Sequence, residues 1–246
     1  MYFKFNDFIN TYDILFAGQY GFRRNYSTTL ALFDVVEMVK RECYNGNYIM
    51  GIFLDFSKAF DSVCHSMLMY KLWNVGFRGN IFDWIKSFLS NRRIFTYVND
   101  TASDTTTIKY GVPQGSVLGP LFFLLFINDL YRAIPHSLLK LFADDSNVFV
   151  ISNNILYLYV QGNSAVSDIV NWCECNKLHI NYKKTSYMVF NNSVSTNNLI
   201  SSNNLNLYLN SIPLTRTNCC KYLGLFLDND LKFDTHVDYV VKKINS

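Results

Sequence analysis

The spacing of apolar and polar residues predicts a helix and a buried strand near the start of the chain. From Ser27 onward, apolar side chains such as Val35 and Val39 recur at the spacing of one helical face, and Ser27 can cap the helix. After a turn at 45–47, residues 48–54 are apolar on both faces, which is typical of a central strand covered by helices. The pattern therefore predicts an amphipathic helix and then a buried strand that ends at Asp55.

Similar patterns predict the elements that follow. They are, in chain order, helices at about 64–73 and 81–89, a Gly- and Pro-rich loop at 111–119, a helix ending before Pro135, a hairpin with strands 138–142 and 147–151, a helix capped by Ser164, and strands near 186–190, 205–209 and 222–227. The Asn- and Ser-rich run at 191–206 predicts a loop or a linker. Helices and strands that alternate without a strict βαβ rhythm indicate an α+β fold, a sheet layered with helices on one face.

Composition permits a sizeable core, because half of the 246 residues are hydrophobic. The formal charge of +3 is too small to indicate a nucleic-acid binder by itself. The longest apolar stretch, residues 121–127, is far shorter than the roughly 20 residues that cross a bilayer. It predicts a buried helix and no association with a membrane.

The six cysteines include no C-x-x-C pair, so we expect free thiols in a reducing compartment. A zinc site would have to combine Cys173, Cys175, Cys219 and Cys220, and cysteines so close in sequence make poor chelating pairs. The pattern favours the thiols over the metal site.

Three acidic residues lie where predicted strands end: Asp55 after the buried strand, and Asp144 and Asp145 in the turn of the hairpin. With 16 aspartates in the chain, about one adjacent pair is expected by chance, and hairpin turns favour Asp in any case. Crowded carboxylates repel one another, however, and a bound cation gives them a physical reason to be neighbours. The surrounding sequence has to decide between a turn and a metal site.

That surrounding sequence consists of three ordered segments. They are Phe-Leu-Asp-Phe-Ser-Lys-Ala-Phe-Asp at 53–61, Gly-Val-Pro-Gln-Gly-Ser-Val-Leu-Gly-Pro at 111–120 and Phe-Ala-Asp-Asp at 142–145. They resemble motifs A, B and C of reverse transcriptases. Three flanking segments extend the resemblance to the enzymes of non-LTR (LINE-type) retrotransposons: Gln-Tyr-Gly-Phe-Arg at 19–23, Asn-Tyr-Lys-Lys-Thr at 181–185 and Lys-Tyr-Leu-Gly-Leu at 221–225.

The resemblance implies the palm of a right-hand polymerase, built on an antiparallel sheet. Partial fingers would occupy residues 1–47, and the palm residues 48–227 with finger-side insertions around 76–110. Residues 228–246 would begin a thumb or form a linker. The implied activity is that of an RNA-directed DNA polymerase from a retrotransposon, which adds dNTPs to a DNA primer on an RNA template and uses two Mg²⁺ or Mn²⁺ ions.

The resemblance also implies roles for single residues. Asp55, Asp144 and Asp145 would be the catalytic metal ligands, joined by the carbonyl oxygen of Phe56. Phe60 would exclude a ribose 2′-hydroxyl and so select dNTPs. The other implied contacts are with the nucleotide, from Gln114, Gly115 and Lys184, and with the primer, from Tyr222, Leu223 and Gly224. Lys183, beside Lys184, leaves open which lysine faces the triphosphate.

Two alternatives to this activity follow from the same motifs. The basic fingers motif expected ahead of residue 19, most of a thumb and an endonuclease region are missing from the pattern, so the chain resembles a piece of a longer parent protein or a catalytically inactive remnant that binds RNA or hybrid duplex. The other alternative is an RNA-dependent RNA polymerase, which Phe60 argues against because such an enzyme must accept a 2′-hydroxyl. Localisation is left open, and the nucleus is implied only by the family.

Overall fold

The computed structural model describes residues 2–190 and 193–245 and divides into two compact units. The helical unit comprises residues up to 17, 56–129 and 173–179, and the sheet unit comprises residues 18–55, 130–172 and the chain from 180 onward. The division into fingers, palm and thumb remains a prediction.

The described helices and strands alternate along the chain. The helices are α1 (Tyr2–Thr11), α2 (Thr28–Tyr44), α3 (His65–Asn74), α4 (Gly79–Leu89), α5 (Leu118–Ile127), α6 (Leu130–Ala133), α7 (Ile155–Asn176), α8 (Val194–Ser202) and α9 (Asp234–Ile244), and a 3-10 helix spans Ala59–Ser62. The strands are β1 (Tyr48–Leu54), β2 (Arg93–Ile94), β3 (Tyr97–Val98), β4 (Thr101–Ala102), β5 (Thr106–Thr107), β6 (Leu138–Phe142), β7 (Asp145–Ser152), β8 (Ser186–Phe190), β9 (Tyr208–Leu209), β10 (Ile212–Pro213), β11 (Thr215–Arg216), β12 (Cys219–Tyr222) and β13 (Leu225–Asp228).

The sheet unit is organised around a five-stranded sheet in the order β11-β8-β1-β7-β6. The central strand β1 pairs antiparallel with both β7 and β8, and β6 pairs antiparallel with β7. Only the short β11, among the strands of this sheet, runs parallel to its neighbour. The predicted buried strand at 48–54, the predicted hairpin and the α+β class are confirmed.

Both faces of the sheet are buried because side chains of successive strand residues point to opposite sides. On one face, Val35 and Val39 of α2 pack against Ile49 and Phe149. On the other face, Gly162 of α7 lies against the side chain of Met50, where a Cβ atom would come within 2.7 Å of the sulfur. Helices α2 and α7 therefore pack on opposite faces, so the prediction that helices cover only one face was wrong. Cover on both faces explains why β1 is apolar along its whole length.

The start of α2 agrees with the prediction, whereas the start of α7 does not. The Ser27 side chain accepts a hydrogen bond from the Leu30 N–H at 3.1 Å, so the predicted cap of α2 is confirmed. The prediction that Ser164 starts a helix was wrong, because Ser164 lies inside α7. That helix begins ten residues earlier, where Asn154 Oδ1 accepts from the N–H groups of Leu156 and Tyr157. Asn caps a helix as well as Ser does.

In the last third of the chain, three further elements differ from the predicted ones. The strand predicted at 222–227 is instead the hairpin of β12 and β13, which turns at Leu223-Gly224. The strand predicted at 205–209 is reduced to β9. The run predicted as a loop contains α8, whose first turn is capped by Ser193, while residues 191–192 of that run lie outside the described residues. Asn and Ser cap helices as readily as they form loops, so composition alone misread this run.

The helical unit is built around α5, whose residues are almost all buried. Helix α3 packs against both α4 and α5, and Phe5 of α1 places its ring against those of Phe77 and Phe122. The predicted buried helix after the Gly- and Pro-rich loop is therefore confirmed, although it ends at Ile127 and α6 occupies the segment before Pro135. In the described parts of the chain, no helix has the length and apolar character needed to span a membrane.

Candidate active site

The sheet brings the three predicted carboxylates together at one end. Leu54, the last residue of β1, is paired with Ser146, and Phe142 is paired with Asp145 across the hairpin. Continuing the antiparallel register by one residue places Asp55 opposite Asp145, where neighbouring strands are only about 5 Å apart. Asp144 is adjacent, in the two-residue turn of the hairpin.

The electrostatics of this cluster reflect that proximity. The pKa of Asp145 is raised above its ordinary value, first by burial of the carboxyl group and then by repulsion from Asp144 and from Asp55. The side chains of Asp144 and Asp145 still reach the surface, and Asp55 is half-buried. The cluster therefore presents carboxylate oxygens to solvent at a point where negative charge accumulates, which favours binding of a cation.

The chemistry of these donors fits Mg²⁺ or Mn²⁺. Both ions prefer oxygen ligands, and Mg²⁺ is commonly held by one or two carboxylates with water and phosphate oxygens completing its shell. Across residues 2–190 and 193–245, no group of three or more His, Cys, Asp or Glu side chains is arranged to hold a metal ion by itself. The carboxylates suit the ion only together with further oxygen ligands such as a triphosphate.

Residues 181–185, which precede β8, hold the backbone of Asp55 through two hydrogen bonds. The Asp55 N–H donates to Thr185 Oγ1 at 3.2 Å, and the Asp55 carbonyl oxygen accepts from the Asn181 N–H at 2.7 Å. The Thr185 side chain is buried, whereas Lys183 and Lys184 are exposed on the same turn. The structure thus brings the lysine segment to Asp55, and it assigns Thr185 a positioning contact that the sequence pattern did not indicate.

In the helical unit, motif B is bonded directly to the end of motif A. The Val112 N–H donates to the carbonyl oxygen of Phe60 at 2.8 Å, and Gln114 Nε2 donates to Asp61 Oδ1 at 2.8 Å. Gly111 adopts a φ of +87°, and a Cβ atom there would lie 2.8 Å from the backbone of Asp61. This close approach requires glycine, and it holds the motif B loop against the end of motif A. The nucleotide contacts of Phe60 and Gln114 stay predictions.

The remaining predicted nucleotide residues of the helical unit have distinct surroundings. Phe60 is half-buried and its ring stacks on that of Phe123, with centroids 4.4 Å apart. Gly115 is exposed with a φ of +79°, while Phe56 is buried. Asp61 received no chemical role from the sequence, although its carboxylate is the partner that orients Gln114.

The segment predicted to grip the primer is the turn between β12 and β13. Tyr222 is buried with its ring near that of Phe53, so its side chain is a core residue of the sheet unit. Burial, and then the nearby Asp145, raise the pKa of its hydroxyl. The adjoining Leu223 and Gly224 have positive φ values and form the turn, where Gly224 is exposed. A primer contact here would come from the turn and its backbone.

The fold and the carboxylate cluster together define the palm class of nucleic-acid polymerases. Among solved structures, a telomerase from Candida tropicalis in complex with a fragment of telomeric RNA is similar over 95% of this chain and 37% of its own, with a TM-score of 0.61 and 14% identity. A telomerase from Candida albicans is similar over 94% of this chain and 37% of its own, with a TM-score of 0.57 and 13% identity. At these identities the likeness shows the fold alone.

Sequence comparison identifies the family. Residues 4–227 match the family described as reverse transcriptase (RNA-dependent DNA polymerase), so the chain belongs to the reverse transcriptase family. The RNA-directed DNA polymerase from mobile element jockey of Drosophila melanogaster is 31% identical over 226 residues, 89% of this chain and 24% of that protein. The probable RNA-directed DNA polymerase from transposon BS of the same species is 29% identical over 98% of this chain and 27% of that protein.

The resemblance to the reverse transcriptases of non-LTR retrotransposons is confirmed by these relatives. The chain spans about a quarter of the length of the curated relatives that it matches.

Proposed function

We propose that this chain is the polymerase palm of a retrotransposon protein that synthesises DNA on an RNA template, adding dNTPs to a DNA primer. The observation that carries the proposal is the meeting of Asp55, Asp144 and Asp145 at one end of the sheet in a chain of the reverse transcriptase family. The matched relatives named as RNA-directed DNA polymerases support the choice of template and product.

The carboxylates of Asp55, Asp144 and Asp145 and the carbonyl oxygen of Phe56 would hold two Mg²⁺ or Mn²⁺ ions. Such ions, when bound, lower the pKa of an attacking hydroxyl and neutralise the charge of a leaving pyrophosphate. The backbone contacts from Asn181 and Thr185 fix Asp55, so that little reorganisation is needed when the charges of the substrate arrive.

Other residues would select and orient the nucleotide. The Phe60 ring, held by stacking on Phe123, would occupy the space of a ribose 2′-hydroxyl and so exclude rNTPs. Gln114, with its amide held by Asp61, and the adjacent Gly115 would contact the nucleotide or the template. Lys184, or Lys183 beside it, would place a cation near the triphosphate.

The nucleic-acid partners would be an RNA template and a DNA primer. The turn at Leu223 and Gly224 would contact the primer backbone, and the adjacent buried Tyr222 would anchor the turn in the core of the sheet unit. In a protein as long as the matched relatives, further segments would contribute contacts with the template and the hybrid duplex.

The test is primer extension on an RNA template with dNTPs and Mg²⁺, comparing the chain with its Asp144→Asn/Asp145→Asn variant. We expect the rate to fall by about 10³-fold or more, because metal ligation contributes several kcal/mol to the transition state and each 1.4 kcal/mol is tenfold in rate. Asp234→Asn/Asp238→Asn on α9, an exposed pair of the same charge, should extend the primer normally. Equal extension by the wild type and the Asp144/Asp145 variant would refute the assignment, and no extension by either would favour the inactive remnant.

A further inference from the structure

Residues 18–21, here called the edge segment, lie along the outer strand of the sheet and reach the turn that carries Asp144. The Tyr20 N–H donates to the carbonyl oxygen of Leu141 at 2.7 Å, and the Leu141 N–H donates to the carbonyl oxygen of Gly18 at 2.8 Å. Gln19 and Leu141 form a parallel bridge. The edge segment therefore continues the sheet beyond β6, and its last residue, Gly21, lies beside Ala143.

Gln19 makes the contact with the turn itself. Its side chain is buried, and its Oε1 accepts from the Ala143 N–H at 3.1 Å and from the Gly21 N–H at 2.8 Å. Ala143 has a φ of 56°, which residues with a side chain rarely adopt and which glycine usually supplies in such turns. A conformation of this kind persists where surrounding contacts impose it, and the Gln19 hydrogen bond is such a contact.

Gly21 permits the close approach. A Cβ atom at this position would lie 2.3 Å from the Ala143 nitrogen and 3.0 Å from the Phe142 carbonyl carbon. Both are backbone atoms, so no side-chain rotation can relieve the clash. The edge segment can therefore rest directly on the peptide that precedes Asp144 only because residue 21 has no side chain.

A second set of contacts anchors the edge segment to α2 and β6. The Tyr20 hydroxyl donates to Asp34 Oδ2 and accepts from Lys140 Nζ at 2.8 Å, and Lys140 Nζ lies 3.7 Å from Asp34 Oδ2. Burial, and then the bond to Asp34, raise the pKa of Tyr20, so its hydroxyl stays protonated at neutral pH. Tyr20, the residue that follows Gln19, is thus bonded to both α2 and β6, and this anchors Gln19.

We infer that Gln19 is a positioning residue of the polymerase site, which acts through the backbone of Ala143 to hold Asp144 in place. The role rests on the proposed function, but the hydrogen bond that it requires belongs to the metal-free protein. Without the Gln19 acceptor, the peptide at Ala143 loses its partner and the turn can relax to conformations with negative φ. The Asp144 carboxylate then no longer has one fixed position relative to Asp55.

The first test measures the turn directly, by amide hydrogen exchange of Ala143 in the metal-free chain. We expect exchange to be at least about tenfold faster in Gln19→Leu, which keeps a buried side chain but removes the acceptor. Gln161→Leu removes a glutamine from α7 and should leave Ala143 unchanged. Should Gln19→Leu fail to fold, Gln19→Asn, whose shorter amide does not reach Ala143, replaces it.

The second test is kinetic. In primer extension, Gln19→Leu should lower kcat by about 10–100-fold and raise the Mg²⁺ concentration needed for half-maximal rate, with little change in KM for dNTP, as expected when the support of a metal ligand is lost. Unchanged Ala143 exchange in Gln19→Leu, or an equal loss of kcat in Gln161→Leu, overturns the inference. If the wild-type chain extends no primer, the proposed function fails, while the exchange measurement still decides the role of Gln19.

Discussion

Single residues in this chain acquire their roles from partners that are distant in sequence. Phe60 is one phenylalanine among 21; its ring stacks on that of Phe123, and its carbonyl oxygen accepts from the Val112 N–H of motif B. Gln114 is likewise an exposed amide whose orientation depends on Asp61. These contacts turn a resemblance of motifs into predictions that can be measured residue by residue.

Phe60→Ala should relax the discrimination between dNTP and rNTP by roughly 10–100-fold, because removing the ring opens space for a 2′-hydroxyl. The measurement is the ratio of kcat/KM for the two nucleotides in primer extension. Phe95→Ala, which truncates an exposed phenylalanine of the helical unit, is the matched control. A ratio that stays the same in Phe60→Ala would contradict the steric role.

Asp61→Ala should raise KM for dNTP by about 2- to 10-fold, since an exposed hydrogen bond contributes about 0.5–1.5 kcal/mol and Gln114 would lose its fixed orientation. Asp61→Asn retains an acceptor oxygen and should restore most of the affinity. Steady-state kinetics with varied dNTP gives both values. Equal KM values for the wild type and Asp61→Ala would show that Asp61 does not orient Gln114 in the working enzyme.

At the scale of elements, the contact between α3 and α5 includes an ammonium group taken out of water. Lys71 Nζ donates to the carbonyl oxygen of Phe126 at 2.7 Å and to Asp129 Oδ1 at 2.6 Å, and the side chain is 8% exposed. Burial lowers the pKa of Lys71, and Asp129 offsets only part of that effect. The helices are therefore joined by a polar contact whose strength depends on pH.

The sign of that dependence follows from the lowered pKa. Below the lowered pKa of the folded state, both the folded and the unfolded chain carry the charge, so the cost of burying it is present in full. That cost disappears as the pH rises from the lowered pKa of the folded state toward the ordinary value of 10.5. The free energy of unfolding of the wild type, relative to that of Lys71→Met, should therefore increase over this range in urea titrations. A difference that falls with pH would contradict the assignment.

At the scale of the whole molecule, metal binding by the carboxylate cluster would add to stability, because an ion that binds only the folded chain favours folding. Mg²⁺ should raise the melting temperature of the wild type by about 5–11 °C when it is in hundredfold excess over its dissociation constant, since such an excess contributes about 2.7 kcal/mol and a chain of this size gains about 2–4 °C for each kcal/mol. Asp144→Asn/Asp145→Asn should show a much smaller rise, and chelation by EDTA should reverse the effect. Equal shifts in both proteins would indicate that the ion stabilises another part of the chain.

Local sequence patterns predicted much of the sheet, including the strands that end at the carboxylate cluster. A fully apolar run predicted β1, two short apolar runs around a polar turn predicted β6 and β7, and Ser27 predicted the start of α2. Each of these features depends on residues within a few positions of one another. The motif order likewise predicted the family, because it needs only residue types and their sequence.

Errors arose where one local pattern permits two structures. Ser164 could cap a helix or lie within one, and Asn154 took the cap. Residues 222–227 could form one strand, but positive φ values at Leu223 and Gly224 make a turn there. As a result, residues 225–228 pair with residues 219–222. The choice in both places depends on packing with the rest of the sheet unit, which local propensity does not contain.

By itself, the sequence determined which residues are candidates for the chemistry: three aspartates at strand ends, an aromatic residue within motif A and a glutamine in motif B. Only the tertiary structure decided what holds them. Gln19 meets Ala143 across 124 positions, Thr185 meets Asp55 across 130, and Gln114 meets Asp61 across 53. These contacts join single polar side chains to distant backbone or side-chain atoms, and such contacts leave no periodic pattern in a sequence because their partners are brought together only when the chain folds.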